Sequence, residues 1–178
     1  SPVSSAQLTI DIDITGVEKT LEDNVRLFLS LEQQKEHPLM SEGRLRRLHK
    51  KAPLEITRAL QPFGYYRPEV KTELTQTSDD QWQASYRVDP GPPIPIGEFD
   101  FAISKEMGQD TEFQRLIDKI PLHKGGNFNH LDYERTKSDL ALLATERGYV
   151  DARFTEHRVV IDLEVYEARI ALHYEGGR

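Results

Sequence analysis

Phe63-Gly64-Tyr65-Tyr66 and Arg147-Gly148-Tyr149-Val150 are two versions of one phrase. Each closes a helical run of apolar residues and opens an extended one, with a Gly-Tyr pair at the change. The two glycines lie 84 residues apart. Downstream, the turns Asp89-Pro90-Gly91-Pro92 and Glu175-Gly176-Gly177-Arg178 carry Gly91 and Gly176, 85 residues apart. Two landmarks in the same order at the same spacing mark an internal duplication.

Working outward, the first copy opens on Leu8-Thr9-Ile10-Asp11-Ile12-Asp13-Ile14, a strict alternation that reads as a strand with one buried face. Gly16 ends it. Leu21, Val25, Phe28 and Leu29 then fall on one stripe of a helix. Gln33 to Gly43 is polar, contains Pro38, and reads as a loop. A second helix is expected from about Arg44 to Gln61, with Leu45, Leu48, Ile56, Ala59 and Leu60 inward. Pro53 inside it cannot donate a backbone bond and is expected to kink or split it. Gly64 is the expected stop. Val70, Thr72 and Leu74, then Trp82, Ala84, Tyr86 and Val88, alternate with polar residues around Ser78-Asp79-Asp80, which reads as a hairpin.

The second copy repeats the order. Phe99, Phe101 and Ile103 alternate; Thr111 to Ile120 reads as a short helix stopped by Pro121. Asn129 is the expected N-cap of the next helix, whose inner face is Tyr133, Leu140, Leu143 and Ala144. Val150 to about Ile161 is extended, with an imperfect alternation that points to a bulge. Ala168, Ile170, Leu172 and Tyr174 form the inner face of the last strand. Four of the ten prolines fall in Pro90-Gly91-Pro92-Pro93-Ile94-Pro95, an extended, semi-rigid joint expected to restrict tilting of the copies. The boundary is placed there, giving domains 1–92 and 93–178.

Composition narrows the function. The chain has 178 residues, 37% hydrophobic and 30% charged, with a net charge of −7. Seven Phe, seven Tyr and one Trp argue against full disorder. No uncharged apolar stretch approaches the roughly 18 residues of a membrane span. No basic-then-apolar leader begins at Ser1, as would also be so in a mature or trimmed chain. Without Cys there is no disulfide, thiolate zinc site or Cys nucleophile. A pI near 5.4 argues against a nucleic-acid binder, and both halves are acidic, −2 for 1–92 and −5 for 93–178. The Gly-x-x-Gly clamp of a KH-type RNA-binding unit is also missing.

The catalytic motifs are missing too. His37, His49, His123, His130, His157 and His173 show no ligand spacing. His123-Lys124-Gly125-Gly126-Asn127 follows a helix rather than a strand and lacks the Gly-Lys-Ser/Thr ending of a phosphate loop. There is no Gly-x-Ser-x-Gly elbow. No catalytic, cofactor-binding or metal-binding residue is assigned, and no enzymatic activity is expected.

The order strand, helix, helix, strand, strand, with Gly-Tyr after the second helix, resembles the POTRA (polypeptide-transport-associated) domain. Such domains are periplasmic repeats of the Omp85 outer-membrane assembly family, of two-partner secretion pores and of a division-site protein. The resemblance spans Leu8 to Gly177 and is strong to the TamA-like branch of the translocation and assembly module. Its first repeat matches at Ala59-Leu60-Gln61-Pro62-Phe63-Gly64-Tyr65-Tyr66-Arg67-Pro68. Its second matches at Gly126, Phe128, Asn129, Tyr133, Glu134, Lys137, Leu140, Ala144, Gly148 and Tyr149.

The resemblance implies an α+β chain of two tandem POTRA-type β-α-α-β-β domains. Each is a three-stranded mixed sheet covered on one face by two helices, in the strand order first–third–second. It implies the periplasmic arm of an outer-membrane protein, a TamB-like inner-membrane partner, outer-membrane protein or autotransporter clients, and a C-terminal barrel of the same longer chain. Neither a third repeat nor a barrel is read in these residues, so a pore role is expected elsewhere. The arm of a two-partner secretion pore and a small periplasmic ligand-binding or enzymatic module remain alternatives; the latter would show a deep polar pocket.

Gly64 and Gly148 are expected to supply left-handed helix stops, and Tyr65 and Tyr149 to plug the gap between helices and sheet. The edge strand of the first sheet, Glu69-Val70-Lys71-Thr72-Glu73-Leu74, is the candidate acceptor for an extended partner segment. Its counterpart is about Asp151 to Val160. Lys71 and Glu73 read equally as edge charges that prevent pairing. Val25, Phe28 and Leu29 are either core or the floor of a groove. Arg44, Arg46, Arg47, Lys50 and Lys51 cluster on the second helix, as its wet face or as a contact for an acidic partner or lipid headgroups.

Overall fold

A computed structural model describes residues 7–177; Ser1 and the Arg178 of the terminal turn lie outside them. The chain divides into two compact units, one ending at Pro92 and the other beginning at Pro93.

The first unit runs β1 (Thr9–Thr15), α1 (Lys19–Phe28), α2 (Ser30–Gln34), α3 (Glu42–Leu60), a 3-10 turn at Gln61–Phe63, β2 (Glu69–Ser78) and β3 (Gln81–Asp89). The second runs β4 (Ile96–Ile103), α4 (Lys105–Gln109), α5 (Thr111–Asp118), α6 (His130–Glu146), β5 (Arg153–Asp162) and β6 (Glu167–Glu175). The sheets are ordered β1-β3-β2 and β4-β6-β5. In each, the last strand is central, parallel to the first and antiparallel to the second. This is the mixed α+β architecture and strand order expected.

Alternation explains the layering. Ile10 and Ile14 of β1 and Trp82, Ala84, Tyr86 and Val88 of β3 are buried beneath the helices. The intervening Asp11, Asp13, Gln83 and Arg87 are exposed. From above come Leu21 and Val25 of α1, Leu31 of α2, and Leu45, Leu48, Ala52, Ile56, Ala59 and Leu60 of α3.

Helix α3 runs on through Pro53 as one helix and is not split there. An interior proline costs about 3 kcal/mol. Each fully buried Leu or Ile stabilises by roughly 1.5–3 kcal/mol, so Leu45, Ile56 and Leu60 together outweigh that cost.

Each unit adds one five-residue helix to the expected pair. The segment read as a loop from Gln33 begins inside α2. Leu29 leaves the helical region (φ −75°, ψ 112°), which buries Leu29 and Leu31 completely. The Glu55 carboxylate of α3 then accepts from the Ser30 N–H (3.2 Å) and from the Ser30 hydroxyl, capping α2. Asp110 does the same between α4 and α5 (φ −77°, ψ 121°). Its own carboxylate caps α5, accepting from the Glu112 N–H at 3.0 Å. One break, in the same backbone conformation, is thus fastened by a carboxylate from a different place in each copy.

Asn129 caps α6 as expected, accepting from the N–H groups of Leu131 (2.9 Å) and Asp132 (3.4 Å). The inner face of α6 also holds buried Thr136, whose hydroxyl donates to the Asp132 carbonyl at 2.7 Å. The expected bulge in β5 is present: the pairing with β6 shifts between Phe154 and Glu156.

Both Gly-Tyr pairs sit where a helical segment ends. Gly64 (φ +93°) and Gly148 (φ +82°) are left-handed, and the following tyrosine N–H bonds back to the Leu60 or Ala144 carbonyl (3.3 and 2.9 Å). A side chain at either position would be strained by that φ. Tyr149 is buried, edge-on to Phe113 at 5.5 Å. Its hydroxyl donates to Asp110 at 3.2 Å, and the Arg147 guanidinium donates to the same carboxylate oxygen at 3.0 Å. Tyr65 is only partly buried against the core of its unit.

Two fastenings carry pH signatures, and Trp82, the only tryptophan, reports on the first unit alone. The Arg147 guanidinium, with the Glu112 N–H and the Tyr149 hydroxyl, holds the Asp110 carboxyl below the usual carboxylate range, against the opposing effect of burial. A depressed carboxylate stabilises above its unfolded pKa of about 3.9 and loses that contribution as pH falls through the folded value. Asp110→Asn should therefore lower the second unit's melting temperature near neutrality by roughly 5 °C, read by circular dichroism, and converge with wild type in acid. The Trp82 fluorescence transition should not move.

In the first unit, His49 Nδ1 lies 2.8 Å from the Tyr86 hydroxyl. Burial, then the Arg46 charge, hold its imidazole below the ordinary value. The unfolded chain then takes up a proton before the folded one, so stability falls as pH drops below about 6.5. The Trp82 transition should move to lower temperature in that direction, and His49→Gln should flatten the dependence.

Candidate interaction surface

A three-stranded sheet has two edges, and β2 occupies one of them in the first unit. Among the described residues it pairs with β3 alone, from Glu69↔Asp89 through Gln76↔Trp82 without interruption, and slips only at the hairpin end between Gln76 and Ser78. Eight consecutive residues are thus regular, a length of about 27 Å. In an antiparallel pair, alternate residues turn their N–H and C=O groups away from the partner strand, so this stretch presents a row of them to solvent.

The side chains sort by face. Val70 and Leu74, opposite Val88 and Ala84, are half-buried and pack on the core. Thr72, between them and opposite Tyr86, is exposed. The helical layer therefore covers this side of β2 incompletely. An added strand could rest its own apolar side chains beside Val70 and Leu74. Glu69, Lys71 and Glu73 lie on the other, uncovered face, where Lys71 stands opposite Arg87. All six residues of the candidate acceptor, Glu69, Val70, Lys71, Thr72, Glu73 and Leu74, thus fall within one regular edge.

Tyr86 fixes the strand behind this edge. It is almost fully buried, and its ring lies 5.3 Å from that of His49, to which its hydroxyl is bonded. Burial pushes its phenol well up, so it stays a neutral partner for the imidazole. Trp82, at the far end of β3, is buried with the Arg46 guanidinium 5.3 Å above its ring.

The second unit's edge strand differs. It begins at Arg153 rather than Asp151, and its bulge at Thr155 interrupts pairing two residues later. Three polar residues, Glu156, His157 and Arg158, follow. His173 of β6 stands between Asp100 (3.0 Å from Nε2) and Glu156 (3.6 Å from Nδ1). The two carboxylates meet different ring nitrogens, so the trio does not converge on one point. Among the described residues no group of His, Asp and Glu has the arrangement of a metal site.

The proposed groove beside α1 resolves in part. Val25 and Leu29 are core, with no exposure, whereas Phe28 is 41% and its neighbour Leu27 69% exposed. One open depression of about 670 Å³ is lined, among the described residues, by α3 alone. Sequence reasoning missed the Asp110–Arg147–Tyr149 cluster. Its only signal is an acid preceding Thr111-Glu112 in the pattern of an N-cap.

Residues 11–90 match the family model for the POTRA domain, TamA domain 1. Among solved structures the chain is similar to POTRA3-5 of BamA from Haemophilus influenzae, at 19% identity over 97% of this chain and 67% of that one, with a TM-score of 0.44. It is similar to the N-terminal domain of Omp85 from Thermosynechococcus elongatus, at 12% identity over 94% and 61%, with a TM-score of 0.39. It is also similar to POTRA1-2 of Omp85 from Anabaena, at 14% identity over 97% and 95%, with a TM-score of 0.35. The chain thus spans only part of the first two. The family-model match thus lies within the first unit, which resembles the POTRA domain of TamA domain 1, and the second unit repeats the same strand order.

Proposed function

We propose that the chain is the periplasmic arm of an outer-membrane protein assembly or autotransporter secretion factor. It takes up a partner or client polypeptide by strand addition at Glu69–Gln76 and passes it toward a membrane barrel elsewhere in the same protein. The observation that carries this reading is the uninterrupted edge of β2, with half-covered Val70 and Leu74 ready to extend the apolar layer. The TamA domain 1 match supports a TamA-like arm, with a TamB-like inner-membrane partner, over the arm of a two-partner secretion pore. The role is that of a binding scaffold without catalysis. Recognition through main-chain groups tolerates many sequences, which suits a protein that meets varied clients.

Lys71 and Glu73 bear on selectivity. They project from the uncovered face, so they do not block the backbone row. An incoming segment with an acid near Lys71 and a base near Glu73 is favoured by cross-strand pairing, each pair contributing about 0.2–1 kcal/mol.

Crosslinking groups placed at Thr72 and Thr155 in intact cells should capture a polypeptide at Thr72 and little at the bulged Thr155. Thr72→Pro, with its fold checked by Trp82 fluorescence, should weaken binding of the captured polypeptide by roughly tenfold, the worth of one or two lost backbone hydrogen bonds. Unchanged affinity in the folded variant overturns the reading. Glu73→Lys should shift which segments are captured without abolishing capture.

A further inference from the structure

Helix α3 carries a feature that strand addition does not use. Arg47, Lys50, Lys51, Leu54, Glu55 and Arg58 line one open depression, and every one of them belongs to this helix. The stripe points away from the core: Ala52 and Ile56, two residues either side of Leu54, are completely buried, while Leu54 is 57% exposed. The four cations stand around that leucine at helical neighbour positions, three and four residues before it, four after it and seven before it.

Their charge is not spent locally. Among the described residues Arg47, Lys50, Lys51 and Arg58 have no ion-pair partner, whereas Arg46 is paired with Glu42 at 2.9 Å. Glu55, the one acid of the stripe, is turned aside to cap α2 through Ser30. Residues 44–58 hold six Lys and Arg and a single Glu, a net +5 in a chain whose net charge is −7. Elsewhere acids predominate, so this concentration is local and directional.

We propose that the outer face of α3 docks on an anionic phospholipid surface, with Arg47, Lys50, Lys51 and Arg58 meeting the phosphate headgroups and Leu54 entering between them. Two observations choose a lipid surface over an acidic polypeptide. Among the described residues all the lining comes from one helix, so a peptide bound there would rest on α3 alone. An exposed apolar residue ringed by long cationic side chains is the pattern of an interfacial helix, whose aliphatic stems lie along the apolar boundary while the charges reach the headgroups. The proposal is independent of strand addition at β2, which lies in the sheet and uses none of these side chains.

The test is sedimentation of the intact chain with phosphatidylcholine vesicles, with and without about one third phosphatidylglycerol, at low and high salt. Binding is expected only with the anionic lipid and should fall with salt. Replacing Arg47, Lys50, Lys51 and Arg58 by Gln should weaken it by at least about tenfold, since each such charge contributes near an anionic surface. Leu54→Ser should weaken it with the charge unchanged. Lys71→Gln, on the sheet, should leave it intact, and Trp82 fluorescence checks the fold of each variant. The proposal is overturned if the intact chain ignores the anionic vesicles, if the fourfold variant binds them equally, or if polyglutamate binds in their place.

Discussion

Each unit depends on its central strand. β3 and β6 are last in their repeats, yet each lies between two partners, parallel on one side and antiparallel on the other. The residues they turn toward the helices are all buried: Trp82, Ala84, Tyr86 and Val88 in one, Ala168, Ile170, Leu172 and Tyr174 in the other. Until that strand is in place, neither the first strand nor the hairpin has an apolar layer to complete. The same arrangement leaves β2 and β5 at an edge, where helices cover them only in part. The open edge is thus a by-product of how three strands share one oily face. It also accounts for the low apolar content, because a small unit with one covered sheet face buries a modest fraction of its chain.

The duplication shows what the topology requires and what it leaves free. Both units break their helical segment at a residue of nearly the same backbone conformation, Leu29 and Asp110, and both need a carboxylate at the helix that follows. In one the carboxylate comes from α3, in the other from the break itself, which also gathers Arg147 and Tyr149. The edges diverge in the same way. β2 keeps a regular register over eight residues, while β5 carries a bulge and three successive charged or titratable residues. Bulges and charges are ordinary defences against unwanted strand pairing. The fold and the edge position are common to both copies, and the long uninterrupted register is special to the first.

What could be read from the sequence was whatever obeys a short period. The alternation in Leu8–Ile14 and Trp82–Val88 and the helical stripe of α3 mapped onto elements because burial enforces them residue by residue. The Gly-Tyr pairs were legible because a left-handed helix stop admits few residues other than glycine. The five-residue helices were not legible, because α4 offers a single buried residue, Met107, and one residue has no period. Pro53 misled because its local cost is visible in sequence while the packing that outweighs it is not. Asp110 escaped because its partner at the far end of α6 is 37 residues away. For the candidate surface, the edge position of β2 followed from the resemblance, while the difference between the β2 and β5 registers needed coordinates.

Helix α3 is the one element shared by the two surfaces of the first unit. Its buried side supplies Ile56, Ala59 and Leu60 to the core on which Val70 and Leu74 also rest, and its outer side carries the cations around Leu54. A ligand shifts an equilibrium only through contacts that differ between two states. Among the described residues no ion pair or hydrogen bond links these cations to β2, and Glu55 is committed to Ser30. Occupants of the two surfaces should therefore bind without coupling. The affinity of an edge-bound peptide, measured with and without saturating anionic vesicles, is expected to be unchanged. A shift of more than about threefold would mean that α3 has a second packing, and that the helix is a switch rather than a strut.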